Sequence, residues 1–325
     1  VEEIMQRLGR EGALKYDFDW RHEPVLRVSA GEAFLVETED ASSGQVRSTD
    51  VIPYMDDLPY RHGEPGHSNP VTGPVYVEGA NKGDLLEIEI LSVVPDAQGY
   101  TRFGPNDGPL RDSKRWSQLG EPCVEIIEHL PGPSGTTRDG KGVISDRLTW
   151  DLHPFIGTIA LSPEREVISS GGGQGPSGGN LDCRDVCEGT KVYINCRHDG
   201  GLLFVGDVHA SQGDTEFTEA ADETRADVTL CCQIIPQKRI PFMRLEKPDS
   251  IISLHCYRPM EIAVETAIIN LMYWMVEDYG LTQKEAYLHI GLNPDFRIHV
   301  YQMARCDNLE FTVGAELPKR YLPNR

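Results

Sequence analysis

The stretch Leu86-Glu87-Ile88-Glu89-Ile90 alternates apolar and acidic residues without a break, so its three apolar side chains share one face of a half-buried strand. Similar short apolar segments recur in both directions, parted by Gly, Pro, Asp and Asn. Toward the N-terminus they are Val25–Val28, Phe34–Thr38 and Pro74–Glu78. Beyond residue 150 they are Gly157–Leu161, Lys191–Cys196, Leu202–Val205, Val228–Ile235 and Ile251–Cys256. Two stretches rich in Gly, Pro, Asp, Ser and Thr, Gly99–Lys114 and Leu130–Lys141, read as long loops of the kind that border functional sites. So many short strands predict a mainly β body, a sandwich or a barrel-like sheet.

The run that opens at Pro259 is different. It has no interior Gly or Pro as far as Tyr279, and Gly280 follows, the residue type favoured just past a helix end. Ile262, Ala263, Val264, Ala267, Ile268, Ile269, Leu271, Met272, Trp274 and Met275 ring most of the circumference. That predicts a buried C-terminal helix, packed into the body or against a second copy of the chain. Thr282 and Glu285 form a capping box for a second, short helix, and Phe296–Ala304 and Leu309–Val313 return to strand-like sequence. No repeat or linker divides the 325 residues, so a single domain over 1–325 is expected, with a subdivision near residue 120 as the alternative.

Asp and Glu number 51 against 31 Lys and Arg, a formal charge of -20. Such a charge repels phosphate backbones and anionic lipid, which argues against nucleic acid and membrane partners and fits a neutral or cationic substrate. No apolar run approaches the roughly 18 residues of a membrane span. Val1–Asp19 is charged throughout, unlike a secretory leader, so a cytoplasmic location is expected. The eight cysteines lack the paired spacing of a zinc ribbon or a disulfide scaffold and are expected to be reduced and mostly buried.

Chemistry concentrates in three islands. Gly171–Asn180 reads GGGQGPSGGN, dense enough in glycine for backbone to pass close to a ligand or to adopt positive φ. Its G-x-G-x-x-G match at Gly173, Gly175 and Gly178 lacks a surrounding strand-turn-helix unit, which argues against a dinucleotide site. Phe204–Glu216 reads FVGDVHASQGDTE, where an apolar strand delivers Asp207, His209, Asp214 and Glu216 in quick succession. Carboxylates and an imidazole at that density suit a divalent metal, and Asp207 and His209 point the same way on an extended strand. A polar turn capping its own amides is the plain structural alternative. The third island is His153-Pro154-Phe155-Ile156-Gly157; a lone His there, like His67 in Gly66-His67-Ser68, is ordinarily a surface or core residue. Cys183 and Cys187 lack two further matched ligands and read as core thiols, and Ser169 and Ser170 lack a nucleophile elbow.

In their order and spacing these islands resemble a known family. Asn69-Pro-Val-Thr-Gly-Pro-Val-Tyr-Val-Glu-Gly-Ala80, Gly83-Asp84, His153-Pro-Phe-Ile-Gly-Thr158, Gly178-Gly-Asn-Leu-Asp182 and Gly206-Asp-Val-His-Ala-Ser-Gln-Gly-Asp214 look like the successive signatures of acetamidase/formamidase proteins. The resemblance runs from about Pro24 to near the C-terminus. It implies a jelly-roll-like β-sandwich with additional α/β elements, hydrolysis of short amides to carboxylate and ammonia, divalent-metal dependence and homo-oligomers. Carried over residue by residue, it offers Asp182, Asp207, His209, Asp214 and Glu216. One departure bears on substrate preference, or on amidase activity altogether: where the pattern of many family members has His before Gly-Gly-Asn, this sequence has Ser177.

Amide hydrolysis needs an activated water, a polarised carbonyl and a proton donor for the leaving nitrogen. On this reading Asp182, Asp207 and His209, with Asp214 as a further candidate, hold a divalent ion, zinc in preference to a structural calcium. Glu216 or Asp214 takes the proton from water, His153 orients the substrate or protonates its nitrogen, and Gly178, Gly179 and Asn180 meet the small-molecule amide. The competing classes are a hydrolase of cyclic amide, urea-like or imine substrates on the same scaffold, and a non-catalytic metal-binding assembly protein.

Overall fold

The structure, a computed structural model, describes residues 5–50, 68–104, 107–305 and 309–323. His67 and Cys306 lie outside the described residues. Among those residues the chain is mostly β, with nineteen strands joined in one curled, largely antiparallel sheet and two α-helices.

Two long strands form the spine. Leu85–Phe103 carries the alternating segment, with Leu86, Ile88 and Ile90 buried and Glu87 and Glu89 partly exposed, and it pairs antiparallel with Glu223–Ile235 along most of its length. Glu223–Ile235 takes Ala33–Thr38 on its other edge and, at its first residues, the end of Leu203–His209. Leu203–His209 is buried throughout and lies between Phe155–Leu161 and Val71–Glu78. Its opening Leu203–Val205 is wholly apolar, as a strand enclosed on both sides requires. Its neighbour Phe155–Leu161 is equally buried and takes the short Gly178–Asn180 strand on its far edge.

The sheet continues across residue 120 without a break, since Gln98–Phe103 pairs with Cys123–Glu128. Cys123–Leu130, Lys141–Ser145 and Leu148–Asp151 form a meander that the sequence reading did not anticipate. Val124, Ile127, His129 and Gly142 are buried, but they alternate irregularly with partly exposed and exposed residues, so the strands lack a continuous apolar stripe. The cysteines agree with expectation: Cys123, Cys183, Cys187, Cys196, Cys231, Cys232 and Cys256 are free thiols, four of them buried.

Helix α1 (Met260–Tyr279) starts after Pro259 and ends at Gly280, whose left-handed φ of 71° suits a residue without a side chain. It lies on Ser250–Tyr257 and Phe311–Pro318, and Ala263, Ala267, Leu271, Trp274 and Met275 form a second core with Ile251, Val313 and Leu317. Its burial is confined to one face; Ile262, Ile269 and Tyr273 on the other are 41, 48 and 53% exposed. Helix α2 (Gln283–Leu292) opens with the expected capping box: Thr282 Oγ1 accepts from the Glu285 amide, and the Glu285 carboxylate accepts from the Thr282 amide at 2.8 Å. No helix among the described residues is long and apolar enough to cross a membrane.

Candidate metal centre

Four carboxylates and one imidazole meet where Phe155–Leu161, Leu203–His209 and the start of Glu223–Ile235 lie side by side. Phe155 is paired with His209, and His209 with Glu223. Asp182 arrives from the turn after Gly178–Asn180, whose Leu181 and Asp182 amides both donate to the Gly157 carbonyl. Glu216 sits in the turn that follows His209. Asp182, Asp207, His209, Glu216 and Glu223 are all buried.

Asp207 reaches the cluster by a route other than strand alternation. Its φ is +53°, so the strand is locally left-handed there, and Asp182 and Glu216 share that state at +45° each. A left-handed backbone under a side chain typically costs about 1–3 kcal/mol and gathers at functional sites. A Cβ on Gly206 would stand 2.3 Å from the Pro70 carbonyl oxygen, so the glycine there lets two strands approach.

His209 Nε2 is the focus. Glu223 Oε2 lies 3.2 Å from it, Asp207 Oδ1 3.4 Å and Asp182 Oδ1 3.9 Å. Ligands about 2.0–2.2 Å from a tetrahedral ion stand roughly 3.3–3.6 Å apart, so Glu223 and Asp207 lie close to that spacing and Asp182 stands somewhat beyond it. Asp182 Oδ1 and Glu223 Oε2 are buried with no hydrogen-bond partner, which is costly for a carboxylate unless a cation is its partner. Gly157 keeps the space open, because a Cβ there would be 2.8 Å from Asp182 Oδ1 and 3.1 Å from Asp207 Oδ2. Two overlapping trios, Asp182–His209–Glu216 and Asp207–His209–Glu223, have donor atoms close enough to hold an ion.

Electrostatics point the same way. Burial, followed by the charge of Asp207, pushes the Asp182 carboxyl up to about 7. Burial and then the charge of Asp182 raise Glu216 well above the ordinary range. His209 loses proton affinity to burial, but Glu223 and Asp207 outweigh this and raise it well above its usual value. One imidazolium cannot neutralise four carboxylates in so dry a place.

Second partners hold the cluster in shape. Thr158 Oγ1 donates within reach of both Asp207 Oδ2 (3.3 Å) and Asn180 Oδ1 (3.1 Å), Gln302 Nε2 donates to Asp182 Oδ2, and Gln212 bonds His209 Nδ1 at 2.9 Å.

The other expected residues lie elsewhere. Asp214 is drawn outward, its carboxylate half-exposed and paired with Arg184 at 2.9 Å. His153 is exposed on the rim of a separate cleft of about 1390 Å³ that Trp150, Arg184 and Gln212 also line. No hydrogen bond or ion pair joins His153 to the cluster among the described residues. Gly178 and Gly179 are buried in strand pairing, and their positive φ lets the chain pass Ile159 and Gly173, where a Cβ would stand 2.2 and 2.0 Å from backbone oxygens. Asn180 reaches the cluster through Thr158. Ser177 faces a different cavity, of about 320 Å³, with Phe18 and Ile168. Cys183 and Cys187 stand outside both trios.

Glu223, Gln212, Gln302 and Thr158 were not singled out by the sequence. Glu223 carries no distinguishing local signal, because Arg225 and Asp227 on the same strand are charged as well.

A curled β body brings carboxylates and an imidazole to one buried point that could hold a metal ion, and comparison with known proteins gives the chain a place. The model of the Acetamidase/Formamidase family matches residues 18–170 and 172–314, and the chain belongs to that family. It is similar to the solved acetamidase of Yersinia enterocolitica, with 30% identity, a TM-score of 0.84 and coverage of 100% of this chain and 94% of that one. The solved acetamidase of Bacillus halodurans gives 28% identity and a TM-score of 0.84 over 97% of this chain and 98% of that one. The formamidase of Methylophilus methylotrophus is 26% identical over 60% of this chain; the match spans 57% of that protein.

Proposed function

We propose that this chain is a divalent-metal-dependent hydrolase that cleaves the C–N bond of small linear amides to a carboxylate and ammonia. The observation that carries the reading is the convergence of Glu223, Asp207 and Asp182 oxygens on His209 Nε2, two of them buried without a donor. Relatives named acetamidase and formamidase supply the substrate class. Asp207, His209 and Glu223 would hold the ion, with Asp182 beside them, and zinc suits an imidazole-and-carboxylate set. When bound, such an ion polarises a carbonyl oxygen and makes a nearby water more acidic. Glu216, which lies with Asp182 and His209 in the second trio, is assigned the proton transfer: it accepts the proton from the attacking water and returns it to the leaving nitrogen, so amide and water leave as carboxylate and ammonia. Thr158 and Gln302 keep Asp207 and Asp182 turned inward.

The uninterrupted sheet supports one domain over the whole chain, and the exposed apolar face of α1 supports a homo-oligomer. The test is ammonia release from formamide, acetamide and propionamide, before and after chelation and with zinc restored. Turnover that falls with chelation and returns with metal is expected. Full turnover by protein stripped of metal would overturn metal dependence, and hydrolysis of cyclic amides alone would overturn the substrate class.

A further inference from the structure

We infer that Gln212 is a positioning residue that fixes the tautomer and ring direction of His209, so that Nε2 is the atom offered to the metal. The inference rests on the metal-site reading above and adds a residue that touches neither metal nor substrate.

The chemistry of the Gln212 amide leaves one arrangement. One end of it stands 2.9 Å from the Asp182 carbonyl oxygen and 3.0 Å from the Tyr301 carbonyl oxygen. Two carbonyl oxygens can only accept, so the end facing them is the NH₂ group, and both of its protons are used. The other end, 2.9 Å from His209 Nδ1, is therefore the oxygen. An amide oxygen only accepts, so Nδ1 carries a proton. Nε2 is then the ring nitrogen free to bind an ion, and it is the one facing Glu223, Asp207 and Asp182. Phe155 packs edge-on against the imidazole, with ring centroids 5.1 Å apart, and limits its rotation.

The same amide ties three parts of the chain together: the Asp182 turn, the Leu203–His209 strand and the end of Arg297–Gln302. Gln302, next to Tyr301, donates to Asp182 Oδ2 and so leaves Oδ1 to face His209. Moving Gln212 therefore disturbs ring direction and the placement of Asp182 together. Partners that orient a metal-binding histidine typically account for about 10–100-fold in metal affinity.

The experiment uses the whole protein, with ¹⁵N-labelled histidine and ¹¹³Cd or zinc in the site. In the wild type, Nε2 should show coupling to ¹¹³Cd, and Nδ1 should carry a slowly exchanging proton. Gln212→Leu should lose that protected proton and bind zinc about 10–100-fold more weakly in competition with a chromophoric chelator, while Asp214→Ala keeps wild-type affinity. Cadmium coupling at Nδ1 in the wild type, which needs no variant to fold, would overturn the inference. So would wild-type zinc affinity in Gln212→Leu. A wild-type protein that binds neither ion would overturn the metal-site reading itself, and the inference with it.

Discussion

Gly157 owes its lack of a side chain to Asp182 and Asp207 beside it, since a Cβ would stand 2.8 Å from Asp182 Oδ1 and 2.6 Å from the Asp207 carbonyl oxygen. Gly157→Ala should therefore lose metal and turnover together, and destabilise the fold by about 1–3 kcal/mol through overpacking; elemental analysis and a denaturant melt read both effects. Glu216→Gln should separate the roles. It should keep its metal while amide turnover falls about 10²–10⁴-fold, because a proton carrier acts on the water and not on the ion. Loss of metal in that variant would place Glu216 among the ligands. At this scale the sequence disclosed much: Asp182, Asp207, His209 and Glu216 do converge. Asp214 had the same chemistry and neighbourhood, and only the turn that hands it to Arg184 separates it from them. Glu223 was hidden because its nearness to His209 is a pairing between strands, which local spacing does not encode.

Strands that hold no ligand nevertheless shape the site, and Arg297–Gln302 is the clearest, delivering the Tyr301 carbonyl and the Gln302 amide to it. That strand is held by Phe311–Pro318, where Glu316 accepts from His299 at 2.7 Å and from Ser250 Oγ at 2.6 Å, with Lys247 at 3.7 Å. Burial pushes Glu316 up, but His299, Ser250 and Lys247 outweigh it and hold the carboxyl at about 2, below its ordinary 4.5. Because the folded value lies below the unfolded one, this stabilisation is full above about pH 4.5 and is lost as the pH falls through about 2. Glu316→Gln should cost on the order of 2–3 kcal/mol at pH 7. Urea midpoints should show the gap from wild type narrowing at pH 3; a gap of constant size would disprove the linkage. The elements themselves were legible wherever one face is buried, as in Leu86–Ile90 and α1. The Cys123–Asp151 meander was not, because its partly exposed strands carry no clean period. Asp207 was also misjudged at this level: the side chain goes where expected, through a left-handed kink and not an extended strand.

The molecule as a whole carries a charge of -20, yet α1 exposes Ile262, Ile269 and Tyr273. An apolar strip on so acidic a surface suits contact with another copy of the chain, and light scattering should give a multiple of the 36.2 kDa chain mass. Ile269→Glu combined with Tyr273→Glu should shift that mass downward, whereas a wild-type monomer at micromolar concentration would remove the interface. Sequence exposed the strip by its uniform apolarity, though it could not say which part the body would cover. On the proposed reading, an ion at His209 would join sheet, cluster and activity. The most direct measurement is divalent-metal content by elemental analysis, taken beside ammonia release from formamide and acetamide, for wild type and His209→Ala. The expected result is stoichiometric metal and turnover in the wild type, with both lost in a variant that still folds; a His209→Ala protein that keeps its metal and near-normal turnover would contradict the account.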